Sequence, residues 1–519
     1  MASALPPDQP PSPSPGPPPG SRQVAKGAGT ALLARAGGVI EILSQPLYVW
    51  LFGLPTYGLY MVLWSAVNLI ENIFDLGMTS ALQRVIPQAS DDRERATALR
   101  QAMLMGVCPC LLIALAASLG GQWIAQLVNV AAADRDKLAT GIALFAWALP
   151  LWAYLEIATS ALRARKAFGP EIRLRVMWEQ LLRMAAAILL WAVGADTLGL
   201  LIAHLCSLAV TCFFSTRLLA RYYPLGLVLR GGARAHPAAR TLYAGLSVLP
   251  SNIVGRLFAD APPLILNAMI PGAAGASAAG LFAIARKIAS AVQLIRQAFS
   301  YVMAPLASEA VRHDKRHVAE IYGFATRLTI LVATPTVCTI AGGGRALLAL
   351  FGSAAQAAYL TLALLSFTRL IEAVAGQAGS IQSVISRYHH PLVGSLAGLA
   401  VALVLGALLL PEGGMDGMAV AVAAGIIVSQ LAQMVQLWRH HRLHPFAPPF
   451  DRAAATAALV GAGIFAISQA LWPLHHLIRI GIGALLLLGG IWLCGRFGLS
   501  EEDKKALGKT GRKLRFLAG

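Results

Sequence analysis

The stretch Tyr57–Pro87, YGLYMVLWSAVNLIENIFDLGMTSALQRVIP, decides how the rest of the chain is read. It follows a turn at Gly53-Leu54-Pro55 and stays apolar for more than the roughly 20 residues a helix needs to cross a bilayer. Glu71 and Asp75 interrupt it, four residues apart and so on one helical face. A carboxylate at bilayer depth costs about 2.5–3.5 kcal/mol on an insertion scale. Such groups face a cavity or a partner rather than lipid.

The flanking sequence repeats the pattern. Of 519 residues, 57% are hydrophobic and only 13% charged, against about 25% charged in a soluble domain; mean hydropathy is +0.65. Apolar runs of spanning length recur about fourteen times. The expected fold is an all-α polytopic membrane protein of about fourteen transmembrane helices: two pseudo-symmetric six-helix bundles plus two extra C-terminal helices. The expected division is a disordered Pro-rich cytoplasmic tail (1–26), a first six-helix bundle (27–220), a cytoplasmic linker (221–240) and a second bundle (241–438). An extra helix pair (439–496) and a basic cytoplasmic tail (497–519) follow. No short apolar run with a small-residue cleavage site follows the Pro-rich segment, so no cleaved signal peptide is expected.

Charge tests the count. The net charge of +18 reads as cytoplasmic loops meeting anionic lipid, not as nucleic-acid binding. Every second loop is basic: Arg84 to Arg100, Arg163 to Arg175, Arg217 to Arg240, Arg312 to Arg316, Arg387, Arg439 to Arg452, and the tail from Arg496 to Arg515. The opposite loops hold little beyond Arg135 and Lys137. A missed helix would invert this bias downstream, and the alternation persists, which places both termini in the cytoplasm. A weak repeat supports two halves: Gly58-Leu59-Tyr60 leads to Pro87-Gln88-Ala89-Ser90, and Gly280-Leu281-Phe282 leads to Pro305-Leu306-Ala307-Ser308. Two halves starting on the same side are parallel repeats, with cargo held between them. The alternative is that Gly and Pro simply mark helix ends.

Charges inside the spans sort by half. The first holds Glu41, Glu71, Asp75, Glu156 and Glu179 against Arg35 and Arg183; the second holds Arg256, Arg286, Lys287, Arg296, Arg327, Arg345 and Arg369 against Asp260 and Glu372. Glu179/Arg183, Arg256/Asp260 and Arg369/Glu372 have helix-neighbour spacing and read as internal ion pairs. Arg35, Arg286, Lys287 and Arg296 lack an acid at helical spacing in their own segments. Each needs an anion, for which a phosphorylated lipid head group suits arginine's planar fork. Snorkelling, or pairing with acids of the other half, remains open for each. Pro46 in the first span and Pro250, Pro262 and Pro263 in the seventh mark helix breaks, which point to a binding site or to packing kinks. The six cysteines are scattered through apolar runs and read as inert, and the histidines cluster at helix ends without a zinc pattern. No Gly-rich phosphate loop or nucleophile elbow is present, so no catalytic or metal residue is assigned.

Gly58-Leu59-Tyr60, Asp75-Leu76-Gly77, Arg84 and Pro87 together resemble the second helix of bacterial polysaccharide exporters. These are the O-antigen-type flippases of the multidrug/oligosaccharidyl-lipid/polysaccharide (MOP) superfamily, and the organisation is similar over about residues 27–500. The resemblance implies two bundles in a V, with helices one, two, seven and eight lining a central chamber, and alternating access. The implied cargo is polyprenyl-diphosphate-linked oligosaccharide for O-antigen, capsule or exopolysaccharide synthesis, flipped across the bacterial cytoplasmic membrane. It implies a transporter rather than an enzyme, no cofactor beyond a coupling H+ or Na+, and no nucleic-acid partner. The implied partners are membrane lipids, the lipid-linked cargo, and polysaccharide polymerase and chain-length machinery. Placed by helix and residue type, the diphosphate-binding candidates are Arg35, Arg256, Arg286, Lys287 and Arg296. From the charge asymmetry, the cation-coupling candidates are Glu41, Glu71 and Asp75. The last two spans would supply a groove for the lipid tail. Two alternatives stand: a multidrug/cation antiporter of the same superfamily, which would show an acid-dominated cavity, and a membrane-embedded polysaccharide polymerase.

Overall fold

The structure is a computed structural model that describes residues 37–165, 167, 173–230, 238–310, 315–385 and 389–507. Arg35 and both tails beyond these limits therefore lie outside the described residues. The main helices are α1 Gly37–Phe52, α2 Leu54–Phe74, α3 Met78–Val85, α4 Asp92–Leu119, α5 Ala148–Ala164, α6 Glu179–Ala192 and α7 Thr197–Leu219. They continue with α8 Ala238–Leu246, α9 Leu249–Met269, α10 Gly272–Ala310, α11 Lys315–Gly342, α12 Tyr359–Ala375 and α13 His389–His441. Last come α14 Phe450–Ala470, α15 His476–Leu493 and α16 Glu501–Ala506. No strand occurs among the described residues. Nine helical segments there are long and apolar enough to cross a membrane, or ten if one bent pair counts as a span. Helix α9, which carries Arg256, Asp260, Pro262 and Pro263, is not among them; α13 is two helices merged across Gly414, whose backbone is non-helical. Helix α4 turns Leu104, Leu111, Leu112, Leu115 and Leu119 outward, the apolar face a lipid-facing helix needs.

The stretch expected as one helix is bent by 48°. Leu76 and Gly77 both take positive φ, 53° and 74°. Gly77 is required twice over: its φ is left-handed, and a β-carbon there would lie 2.3 Å from the carbonyl oxygen of Gly245 on α8. Asp75 restarts the helix, its Oδ2 accepting from Thr79 N at 3.2 Å and Thr79 Oγ1 at 3.0 Å. The Asp-Leu-Gly triplet is thus a stop, a left-handed turn and a cap.

The two halves meet where their repeats begin. A β-carbon on Gly58 would fall 1.9 Å from the Ala276 carbonyl oxygen, and one on Gly280 would fall 2.9 Å from Gly58 Cα. The glycines heading the two repeats therefore pack on each other, as they do when a pseudo-two-fold axis passes between them. At the same end Asn129 and Asn267 hold each other: Asn129 N donates to Asn267 Oδ1 at 3.1 Å, Asn129 Nδ2 to Asn267 O at 2.8 Å, and Asn267 Nδ2 to Asn129 O at 2.6 Å. This is the end that the charge pattern assigns to the outside. Helices α14 and α15 pack on α11 through small residues, Gly461 against Thr334 and Cys338, and Gly490 against Pro335. Arg327 on α11 grips Asp503 of α16 with two bonds, 2.7 and 3.0 Å long.

With Asn129→Cys and Asn267→Cys, a short bifunctional thiol reagent should join the two halves in isolated membranes. Adding Gly58→Val should lower the yield, because the larger side chain wedges α2 from α10. An unchanged yield would show that the helices do not meet at Gly58.

Candidate functional site

A cavity of about 550 Å³ lies between the halves. The first half contributes Glu41 from α1, Trp64 and Asn68 from α2, and Glu179, Gln180 and Arg183 from α6; the second contributes α9, α10, α12 and α13. The four helices expected to line it do so, and α6, α12 and α13 add to them. Arg256, Arg286, Lys287 and Arg296 all face this cavity. Of the expected acids only Glu41 does. Its lining carries seven basic side chains (Arg175, Arg183, Arg256, Arg286, Lys287, Arg296, Arg369) against four acidic ones (Glu41, Glu179, Asp260, Glu372).

Arg286, Lys287 and Arg296, which lack an acid at helical spacing, find one in space. Arg286 Nη1 lies 3.3 Å from Asp260 Oδ1, and Arg256 Nη1 lies 3.6 Å from Asp260 Oδ2. Arg369 pairs with Glu372 three residues on, and Arg296 Nε stands 3.4 Å from the same carboxylate. Twice, then, two arginines share one carboxylate, leaving about one net positive charge at each place. Lys287 pairs instead with Glu41 of the other half, an option left open by the sequence. Of the three pairs read from helix spacing, Glu179/Arg183 is complete within itself, with both side chains at most 5% exposed.

Local backbone chemistry sets Arg286. Pro263 has no N–H, so the carbonyl four residues back, on Ala259, loses its helical partner. Arg286 Nη1 donates to that carbonyl as well as to Asp260. The helix break noted in the sequence therefore creates the acceptor that aims the arginine into the cavity. Gly376 does the same for Arg296 by absence, since a β-carbon there would lie 3.1 Å from Arg296 Cδ.

Three residues differ from the sequence reading. Arg175, taken as a loop charge, is drawn inward by a π-helical turn at Arg173–Trp178, where it lies over the Trp152 ring at 4.8 Å and binds Glu156 through both Nη atoms. Glu71 and Asp75 do not line the cavity. They are buried in the first half, where Gly106 of α4 approaches so closely that a β-carbon would lie 3.0 Å from Asp75 Oδ1. Asp75 acts as the cap described above; Glu71 makes no hydrogen bond or ion pair through its side chain among the described residues. No group of three or more His, Cys, Asp or Glu side chains there is placed to hold a metal ion.

No curated protein matches the sequence. Residues 51–359 match the model of a family described as polysaccharide biosynthesis protein. Among solved structures, a lipid II flippase MurJ in an inward closed conformation superposes with a TM-score of 0.69 at 11% identity, over 89% of this chain and 97% of the other. The Vibrio cholerae MATE transporter VcmN gives 0.61 at 15% identity, over 81% and 99%. An outward-facing multidrug resistance MATE family transporter of the MOP superfamily gives 0.61 at 14% identity, over 81% and 97%. At such identities the likeness is one of fold. Fold and family converge: the chain belongs to the polysaccharide biosynthesis protein family and is a multi-pass membrane protein built on the fold of the MOP superfamily.

Proposed function

We propose that this chain flips polyprenyl-diphosphate-linked oligosaccharide from the inner to the outer leaflet of a bacterial cytoplasmic membrane, by alternating access, for polysaccharide synthesis. The observation that carries the reading is the pair of arginine sets, each sharing one carboxylate, in a cavity between two halves. An arginine that shares its acid keeps N–H donors to spare, and its fork fits phosphate oxygens. The sugars would occupy the polar space bounded by Gln180, Gln293, Gln430 and Gln433, while the polyprenyl chain stays in lipid. The groove for that chain falls to α14 and α15, and loading would take place from the cytoplasm, where both termini would lie. Polymerase and chain-length proteins would take the flipped cargo on.

The surplus of cations separates this reading from its rival. An exporter of organic cations needs an acidic cavity, whereas here seven basic groups face four acidic ones. For coupling, the proposal assigns a proton or sodium ion to the acids of the first half. Glu71 is the strongest member, because Asp75 is already engaged as a cap and Glu41 by Lys287.

Replacing Arg256, Arg286 or Arg296 singly with alanine should lower surface polysaccharide about tenfold at unchanged membrane level of the protein, the loss of one charge-assisted hydrogen bond. Wild-type polysaccharide in all three variants would remove the phosphate role. In liposomes, Glu71→Gln should abolish the response of flipping to a proton or sodium gradient. A gradient response as large as wild type would leave Glu71 a structural group.

A further inference from the structure

We propose that the cavity holds two separate anion stations and that the diphosphate passes from one to the other. The proposal rests on the flippase reading above and extends it. Arg286 and Arg296 lie on one helix, ten residues apart, which at 1.5 Å per residue is about 15 Å. That is the separation of their backbones, and their guanidinium groups turn to acids on different helices, Asp260 on α9 and Glu372 on α12. Each arginine has its own second arginine and its own acid: Arg256 and Asp260 at one station, Arg369 and Glu372 at the other. The two stations are therefore duplicates in charge and independent in space.

Their chemistry suits transfer rather than storage. When a station is empty, the carboxylate neutralises one arginine; when an anion arrives, the second is available to it. A net charge of about one attracts a phosphate without trapping it, the balance a conducting path needs between entry and release. Arg296 shows the slack directly: its Nε stands 3.4 Å from Glu372 Oε1 without the alignment of a hydrogen bond. Ser290 and Gln293 line the cavity between the stations, on the same face of α10 as Arg286 and close to Arg296. They make a neutral, polar track. With the basic loops inside, Arg296 and Arg369 sit nearer the cytoplasm and form the loading station; Arg256 and Arg286 form the deeper one.

The test uses the purified full chain in detergent, farnesyl diphosphate as probe, farnesol as a control for tail binding, and native mass spectrometry to count bound probe. Wild type should bind two molecules of farnesyl diphosphate beyond the farnesol control. The Arg296→Gln/Arg369→Gln chain should bind one, and so should Arg256→Gln/Arg286→Gln. Glu372→Gln, which frees a guanidinium, should tighten one of the two sites about tenfold; a carboxylate that merely braces the fold would weaken it. Arg369→Lys keeps the charge but loses the fork, and should weaken that same site while leaving thermal unfolding unchanged. One bound molecule in wild type, lost in both double variants, would overturn the two stations and leave the flippase reading standing. No binding above farnesol in wild type would overturn both.

Discussion

A charge inside a membrane needs a counter-charge, water or a cargo. That requirement decides where the charges of this molecule sit, while the helices themselves associate through close packing of small residues. Nearly every charge described at depth obeys it through a named partner. Glu179 takes Arg183, Glu156 takes Arg175, Asp503 takes Arg327, and Asp260 and Glu372 each take two arginines. The first three pairs balance one to one and brace their helices. The last two do not balance, and both lie in the cavity. Breaking a buried pair costs about 3–5 kcal/mol because it strands a charge. A shared acid lessens that difficulty, since one guanidinium can leave it while the other stays.

Backbone breaks decide where those charges point. Proline at position 263 removes a helical hydrogen bond, and Arg286 takes the carbonyl so released. The left-handed turn at Leu76-Gly77 lets α8 approach α3 with glycine against glycine, and puts Asp75 at the start of the resumed helix. In both places a residue that lowers helix stability is answered by a side chain from a short distance away. The cost of the break and the placement of the charged group are one arrangement, so neither can be changed alone.

Much of this was legible in the sequence, and the reasons for the rest are physical. Hydropathy and loop charge give helices and class because a bilayer tolerates few alternatives. The repeat glycines 58 and 280 were visible, and their contact follows from pseudo-symmetry. Pairs on one helix, such as Arg369 and Glu372, show in the spacing. Pairs between helices do not: nothing local tells that Arg286 reaches Asp260, or that Lys287 reaches Glu41. Arg175 was hidden because a π turn, which has no periodic signature, carries a loop residue inward. Glu71 and Asp75 share a face in sequence, yet the turn after Asp75 gives them different work. The count of about fourteen comes from apolar length and is checked against loop charge; among the described residues nine helical segments qualify, or ten with the bent pair, one of them merged across Gly414.

The ion pairs also differ in what motion they permit. Glu179–Arg183 and Arg369–Glu372 each lie within one half, so they travel unbroken when the halves move as rigid bodies. At the cavity, Lys287–Glu41 joins the halves, and its side chains are 29% and 35% exposed. Water reaches both partners and can replace part of what each loses as it leaves. That contact lies between the halves, where an opening of the cavity would part it. At the opposite extreme, Gly58 against Ala276 and Asn129 against Asn267 form a close joint at one end. In the alternating access proposed above, the latch in the middle would part readily while the joint at one end held, and an anion competing for Lys287 would bear only on the latch.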